Sequence, residues 1–314
     1  MALSAQRMRE VDLAVIGAGV AGLTAAAAAA RAHLSVLVIE RMGAGGQVMN
    51  VERIDNFPGH PAGISGYELG PMLQEEAEEA GAEFMLDTVE GLERSGTRHL
   101  VRCSGETVSA AAVLVACGSR RKVLDVPGEI EFDGRGVSHC ASCDGPLFRG
   151  QSVLVAGGGD SALGEALVLA THAASVKLVF PEDQPHAQPY LQDAVRGLSN
   201  VELIGGTRVV EIAGDAAGVT GVKVQDGAPE PRTLPAHGIF VYAGLVPGTD
   251  FLGGGLGLDA QGRIRTDPQM RTSVDGIYAA GDARSGSDWR LSSAAEDGGK
   301  AASSVVDDLR RRAQ

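Results

Sequence analysis

Short apolar runs alternate with stretches of helical period along this chain. Val11–Ile16 is apolar except for Asp12, the pattern of a parallel strand covered on both faces. The alanine-rich stretch Leu23–Arg31 predicts a helix, and Ser35–Ile39 predicts a second strand ending at Glu40. Tyr67–Ala80 places apolar residues at helical spacing beneath an acidic outer face, and Gly81 closes it. Weak strand patterns run from Glu83 to Val108, and Ala112–Ser119 reads as a strand returning to the sheet. The opening order then recurs, with strand Ser152–Ala156, helix Leu163–His172 and strand Ser175–Phe180. Val201–Gly244 alternates short strands with turns and predicts a β-meander on the second unit. Gly262–Asp267 predicts a strand pair, Gly276–Asp282 a last strand, and Leu291–Arg312 a closing helix. The positive end of that helix would favour nearby negative charge.

Both strand–helix–strand units carry glycines where the first strand turns into the helix. The first reads Gly17-Ala18-Gly19-Val20-Ala21-Gly22, and the acid Glu40 ends its second strand. Glycines at Gly17, Gly19 and Gly22 allow the tight turn, the approach of a pyrophosphate to a helix N-terminus, and close helix–sheet packing. Glu40 stands where an acid holds an adenosine ribose. The second reads Gly157-Gly158-Gly159-Asp160-Ser161-Ala162, with Gly157, Gly159 and Ala162 at the motif positions. The expected fold is therefore α/β, two Rossmann-like dinucleotide-binding domains, one shaped for a flavin dinucleotide and one for a nicotinamide dinucleotide.

Composition narrows the setting. A chain of 314 residues with 44% hydrophobic content has material for two packed domains. The net charge of −13 and the lack of a basic stripe argue against a nucleic-acid partner. Residues Met1–Asp12 lack the apolar middle of a secretion signal, and no apolar run is long enough to span a bilayer. The expectation is a soluble, cytoplasmic protein.

The candidate chemistry lies between the two units, at His139-Cys140-Ala141-Ser142-Cys143-Asp144-Gly145. Two thiols at this spacing close and reopen a small disulfide ring, which stores an electron pair. Asp144 is placed to move the accompanying proton, and His139 either serves as a base toward an incoming thiol or is a solvated surface histidine. Half a zinc site is the bland alternative. Structural zinc needs four ligands, though, and the other cysteines, Cys103 and Cys117, stand alone in segments that read as buried strands. No metal is expected.

Taken in order, these motifs resemble the low-molecular-weight thioredoxin reductases. The resemblance rests on the first glycine turn, Gly45-Gly46-Gln47, Asn56-Phe57-Pro58-Gly59, Cys140 to Gly145, the second glycine turn, and Gly281-Asp282. It implies FAD bound by a discontinuous domain, 1–117 and 244–314, around an inserted NAD(P)-binding-like domain, 118–243, that carries the redox pair in a three-layer ββα arrangement. It further implies that Cys143 meets the flavin, Cys140 exchanges with the outside substrate, and Asp144 is the acid and base. Asp282 would bind the ribityl or pyrophosphate region of FAD, and Gln47 and Asn56 would lie near the isoalloxazine. Gly118, Gly281, Arg290 and Leu291 complete the expected flavin residues, and the family implies a homodimer.

Three positions depart from the family. Where it has arginines that clamp the 2′-phosphate of NADPH, this chain has Phe180-Pro181-Glu182-Asp183-Gln184-Pro185-His186. Losing charge-assisted hydrogen bonds of about 1.5–3 kcal/mol each and adding carboxylates argues against NADPH. Leu291 stands where the family has a glutamine, and His139 where a small residue is usual. The pattern points to a dithiol oxidase of the gliotoxin and holomycin type. In such an enzyme a small dithiol reduces Cys140–Cys143, the pair reduces FAD, and O2 reoxidises it. The alternatives are an NAD(P)H-driven reductase of a thioredoxin-like disulfide protein and a flavin-binding interaction protein without turnover.

Overall fold

Apolar side chains on both faces of Arg9–Ile16 (β1) put this strand in the middle of a sheet. The computed structural model describes residues 8–312 and 314. The expectation of no leader, so far as it concerns residues 1–7, lies outside the described residues. The chain forms two compact units, one ending at Arg120 and resuming at Val246, the other spanning Arg121–Leu245.

In the first unit β1 is followed by α1 (Val20–Arg31), β2 (Val36–Glu40), α2 (Gly66–Glu79) and β3 (Glu83–Leu86). Then come β4 (Val89–Ser95), β5 (Arg98–Cys103) and β6 (Thr107–Val115). The sheet order is β3-β2-β1-β6-β5-β4, and Ile277–Ala279 pairs in parallel with β6. Pairing is parallel from β3 to β6 and antiparallel from β6 to β4, so β6 belongs to both halves. The alanines of α1 matter here. Small side chains on nearly every face let the helix lie in a core that also takes residues of the sheet, α2 and the C-terminal helix Leu291–Arg312.

The second unit repeats the plan. Its parallel sheet runs in the order Val201–Ile204, Ser175–Val179, Ser152–Ala156, Gly238–Val241, Val137–Ser138. Helices α3 (Ala141–Asp144), α4 (Asp160–Ala170) and α5 (Pro189–Arg196) share one apolar core with this sheet. A three-stranded antiparallel sheet, Arg208–Asp215, Gly218–Gln225 and Arg232–Pro235, packs in another.

Some expectations need correction. The meander is shorter than Val201–Gly244, because Val201–Ile204 and Gly238–Val241 are parallel strands of the main sheet. Gly262–Asp267 is not a strand pair. Asp259 and Asp267 each accept two backbone N–H groups with one side-chain oxygen, which ties the chain into turns and leaves Ile264 in isolated bridges. Cys117 lies beyond the end of β6 rather than in a strand, and Gly46–Asn50 is a short 3-10 turn. The strand expected over Gly276–Asp282 is confined to Ile277–Ala279, after which Gly281–Ala283 turns away.

Candidate active site

The first glycine turn is shaped by what its neighbours leave no room for. Gly17 has φ +102°, and a Cβ there would lie 2.5 Å from the Ala116 carbonyl oxygen. A Cβ on Gly22 would overlap the Gly17 carbonyl, so α1 approaches the turn only because that position is glycine. Gly19 differs: nothing lies within 4 Å of where its Cβ would be, and the backbone is open to a ligand. Glu40 accepts the Ala18 N–H at 2.9 Å and the Met42 N–H at 3.0 Å, which holds its carboxylate against the turn.

A second group gathers farther along the same unit. The Gln47 side-chain amide donates to the Ser119 carbonyl at 2.8 Å, and Gly118 precedes that residue with φ +61°. The Ser119 and Ser287 hydroxyls donate to the two Asp282 oxygens at 3.4 and 3.2 Å. Burial pushes the Asp282 carboxyl up from its ordinary value, and these two hydroxyls pull it partly back. Behind it, Asp297 accepts the Gly281 N–H at 3.1 Å and a two-pronged Arg284 guanidinium at 2.6 and 2.8 Å. Asn56 is exposed in its loop, Arg290 faces solvent beside Asp288, and Leu291 packs into the core under α1. Sequence reasoning missed Ser119, Ser287 and Asp297, since lone serines and a helical aspartate carry no motif.

In the second unit Cys140 and Cys143 form a disulfide with Cα atoms 5.3 Å apart. Cys143 is exposed and Cys140 half-buried at the start of α3. The Cys140 sulfur accepts the Cys143 N–H at 3.2 Å. Asp144 accepts the Ser138 hydroxyl at 2.6 Å, and that hydroxyl oxygen also accepts the Cys140 N–H at 3.2 Å. Ser138 thus links the acid to the first cysteine. His139 lies with Nδ1 3.4 Å from the Val241 carbonyl. The other two thiols are quiet: burial pushes both Cys103 and Cys117 up to about 12. Among the described residues no group of three or more Cys, His, Asp or Glu is arranged to hold a metal.

The second glycine turn copies the backbone of the first. Gly157 has φ +144° and sits tight against the Tyr242 carbonyl. The segment after Ser175–Val179 folds back on it, with the His186 N–H donating to the Gly158 carbonyl at 2.9 Å. Exposed Glu182 and Asp183 occupy the stretch where the family resemblance places a 2′-phosphate clamp. Residues 180–186 hold no arginine or lysine that could pair with a 2′-phosphate.

Comparison with known proteins agrees over almost the whole chain. The model of the pyridine nucleotide-disulphide oxidoreductase family matches residues 11–299. Thioredoxin reductase of Listeria monocytogenes is 39% identical over 292 residues, covering 92% of this chain and 91% of its own. That of Bacillus subtilis is 38% identical over 296 residues, covering 94% and 93%. The solved thioredoxin reductase of Lactococcus lactis, 35% identical, superposes with a TM-score of 0.91 over 96% of this chain and 99% of that one.

Proposed function

The chain belongs to the pyridine nucleotide-disulphide oxidoreductases, among the low-molecular-weight thioredoxin reductases, and on that premise we propose that it passes electron pairs between FAD and a partner's sulfurs through Cys140–Cys143. The partner class favoured by the relatives is a thioredoxin-like protein disulfide. One observation carries the reading: the disulfide sits at the start of α3 with its first sulfur hydrogen-bonded and an acid fixed beside it.

FAD is the family's cofactor, and the residues of the first unit fit it, with an open backbone at Gly19 and a carboxylate at the end of β2. In this proposal Gly17, Gly19, Gly22 and Glu40 hold its adenosine and pyrophosphate. Gln47, Asn56, Gly118, Gly281 and Asp282 surround the rest, and Arg290 and Leu291 stand at the start of the last helix. When bound, FAD supplies a ring that takes up or gives an electron pair.

Running outward, the Cys140 thiolate attacks one sulfur of the partner disulfide, and the other sulfur leaves with a proton from Asp144. Asp144 recovers a proton from Cys143, whose thiolate displaces the partner. The pair ends oxidised, and the partner ends with both sulfurs reduced. Ser138 keeps Asp144 in reach of the pair by its 2.6 Å bond. The family resemblance further supports a homodimer in the cytoplasm.

A second reading has the current reversed, with a small dithiol reducing the pair and O2 receiving the electrons as peroxide. The segment Phe180–His186, which holds two carboxylates and no arginine, supports it. Anaerobic titration of the oxidised flavoprotein decides between them. Bleaching by a nicotinamide nucleotide followed by reduction of thioredoxin supports the outward direction. Bleaching by a small dithiol alone, with peroxide on admitting air, supports the reverse. A Cys140→Ser protein that still turns over would end both readings.

A further inference from the structure

The two glycine turns allow an internal comparison, because each is pinned to its second strand in the same way. The Gly17 N–H donates to the Ile39 carbonyl at 2.8 Å, and the Gly157 N–H donates to the Val179 carbonyl at 2.9 Å. Ile16 pairs with Ile39 as Ala156 pairs with Val179. The residue just beyond, Glu40 in the first unit, is therefore Phe180 in the second.

That substitution removes the acid expected to hold a ribose. Phe180 is 1% exposed, and a Cβ on Gly158 would lie 3.0 Å from its Cβ and Cγ, so the aromatic side chain packs against the turn. The next position differs as well. Where the site over Gly19 is open, a Cβ on Gly159 would meet the His186 Nε2 at 2.9 Å. The imidazole thus lies on the backbone that a pyrophosphate has to reach.

The covering loop is anchored on both sides. The His186 N–H binds the Gly158 carbonyl, and Pro185 and Ala187 are buried on either side of it. The Gln188 N–H donates to Asp160 Oδ1 at 2.8 Å, and its side-chain amide donates to Oδ2 at 2.5 Å. The first residue of α4 is thereby a carboxylate laced to the loop. In α1 the same place is taken by the apolar Val20.

We infer that Phe180 and His186 close the second glycine turn, so that this unit takes neither NADPH nor NADH and survives as a scaffold for the redox pair. The consequence rests on the thiol–disulfide reading above: it selects the direction in which a small dithiol reduces Cys140–Cys143 and O2 takes the electrons.

The test is direct binding, by calorimetry on the FAD-loaded protein, of NADH and NADPH to the wild-type protein and to His186→Ala, an exposed position whose change leaves the core intact. Wild type is expected to show no saturable binding of either nucleotide, and His186→Ala to show saturable binding of NADH. NADPH should gain less, since Glu182 and Asp183 remain. Tight wild-type binding of either nucleotide overturns the inference, and so does a His186→Ala protein that still binds no NADH. Bleaching of the flavin by a small dithiol, read on the same samples, reports on thiol exchange separately. Its failure would remove the dithiol-oxidising direction and leave the closed turn standing.

Discussion

The Tyr242 hydroxyl accepts the backbone N–H of Ala141, the residue between Cys140 and Ser142, at 3.0 Å. Tyr242 follows the strand Gly238–Val241, and its own N–H donates to the Ala156 carbonyl at 2.8 Å, at the end of the strand that leads into the second glycine turn. Burial, and then the carboxylate of Glu165, push the phenol well above its ordinary value, so it stays a neutral donor and acceptor at physiological pH. One side chain thereby ties the redox turn to the sheet.

Tyr242→Phe keeps the ring and strips the Ala141 N–H of its partner. A buried amide left unpaired costs about 1–3 kcal/mol, so urea unfolding should shift by that order. The midpoint potential of Cys140–Cys143 should move as well, because the freed amide lies beside the first sulfur. A potential unchanged from wild type would show that the bond is structural only.

Asp144→Asn removes the proton carrier while keeping the shape. Thiol-exchange rates, followed by rapid-mixing flavin absorbance, should fall by about 10²–10⁴-fold, the range for loss of a positioned acid and base. Ser138→Ala should give a smaller loss, since it removes the 2.6 Å bond that orients the carboxylate.

Asp282 links pH to the stability of the flavin-free protein. Its folded-state pKa is raised by burial, so folding favours the protonated acid. That contribution is present below the unfolded value of about 3.9 and is lost as pH rises through the folded one. Asp282→Asn should therefore unfold at higher urea than wild type at neutral pH, with a flatter pH dependence, while it retains FAD less well. An Asn protein no more stable than wild type at pH 7 would contradict this account.

Two adjacent glycines in the last helix should respond oppositely to alanine. A Cβ on Gly298 would overlap the Ala21 carbonyl of α1, whereas nothing lies within 4 Å of a Cβ on Gly299. Gly298→Ala should lower the melting temperature by several degrees through overpacking. Gly299→Ala should leave it unchanged or raise it, since alanine favours a helix over glycine by about 1 kcal/mol.

Local chemistry made much of this protein legible from its residues alone. Apolar runs and glycine turns identify two dinucleotide-type units, because a strand buried on both faces and a tight strand-to-helix turn need those residue types in that order. Cys140, Cys143 and Asp144 stand together because their spacing is local, and the closing helix over Leu291–Arg312 has the expected bounds. Residues that meet only through folding left no such trace. Ser138 and Tyr242 at the redox turn, Ser119 and Ser287 on Asp282, and His186 over Gly159 are far apart in sequence or lack a motif. The second glycine turn shows the difference most plainly. Its sequence has the pattern of a nucleotide site, but whether the backbone is open depends on which side chains the returning loop lays across it, and that is a property of packing in three dimensions.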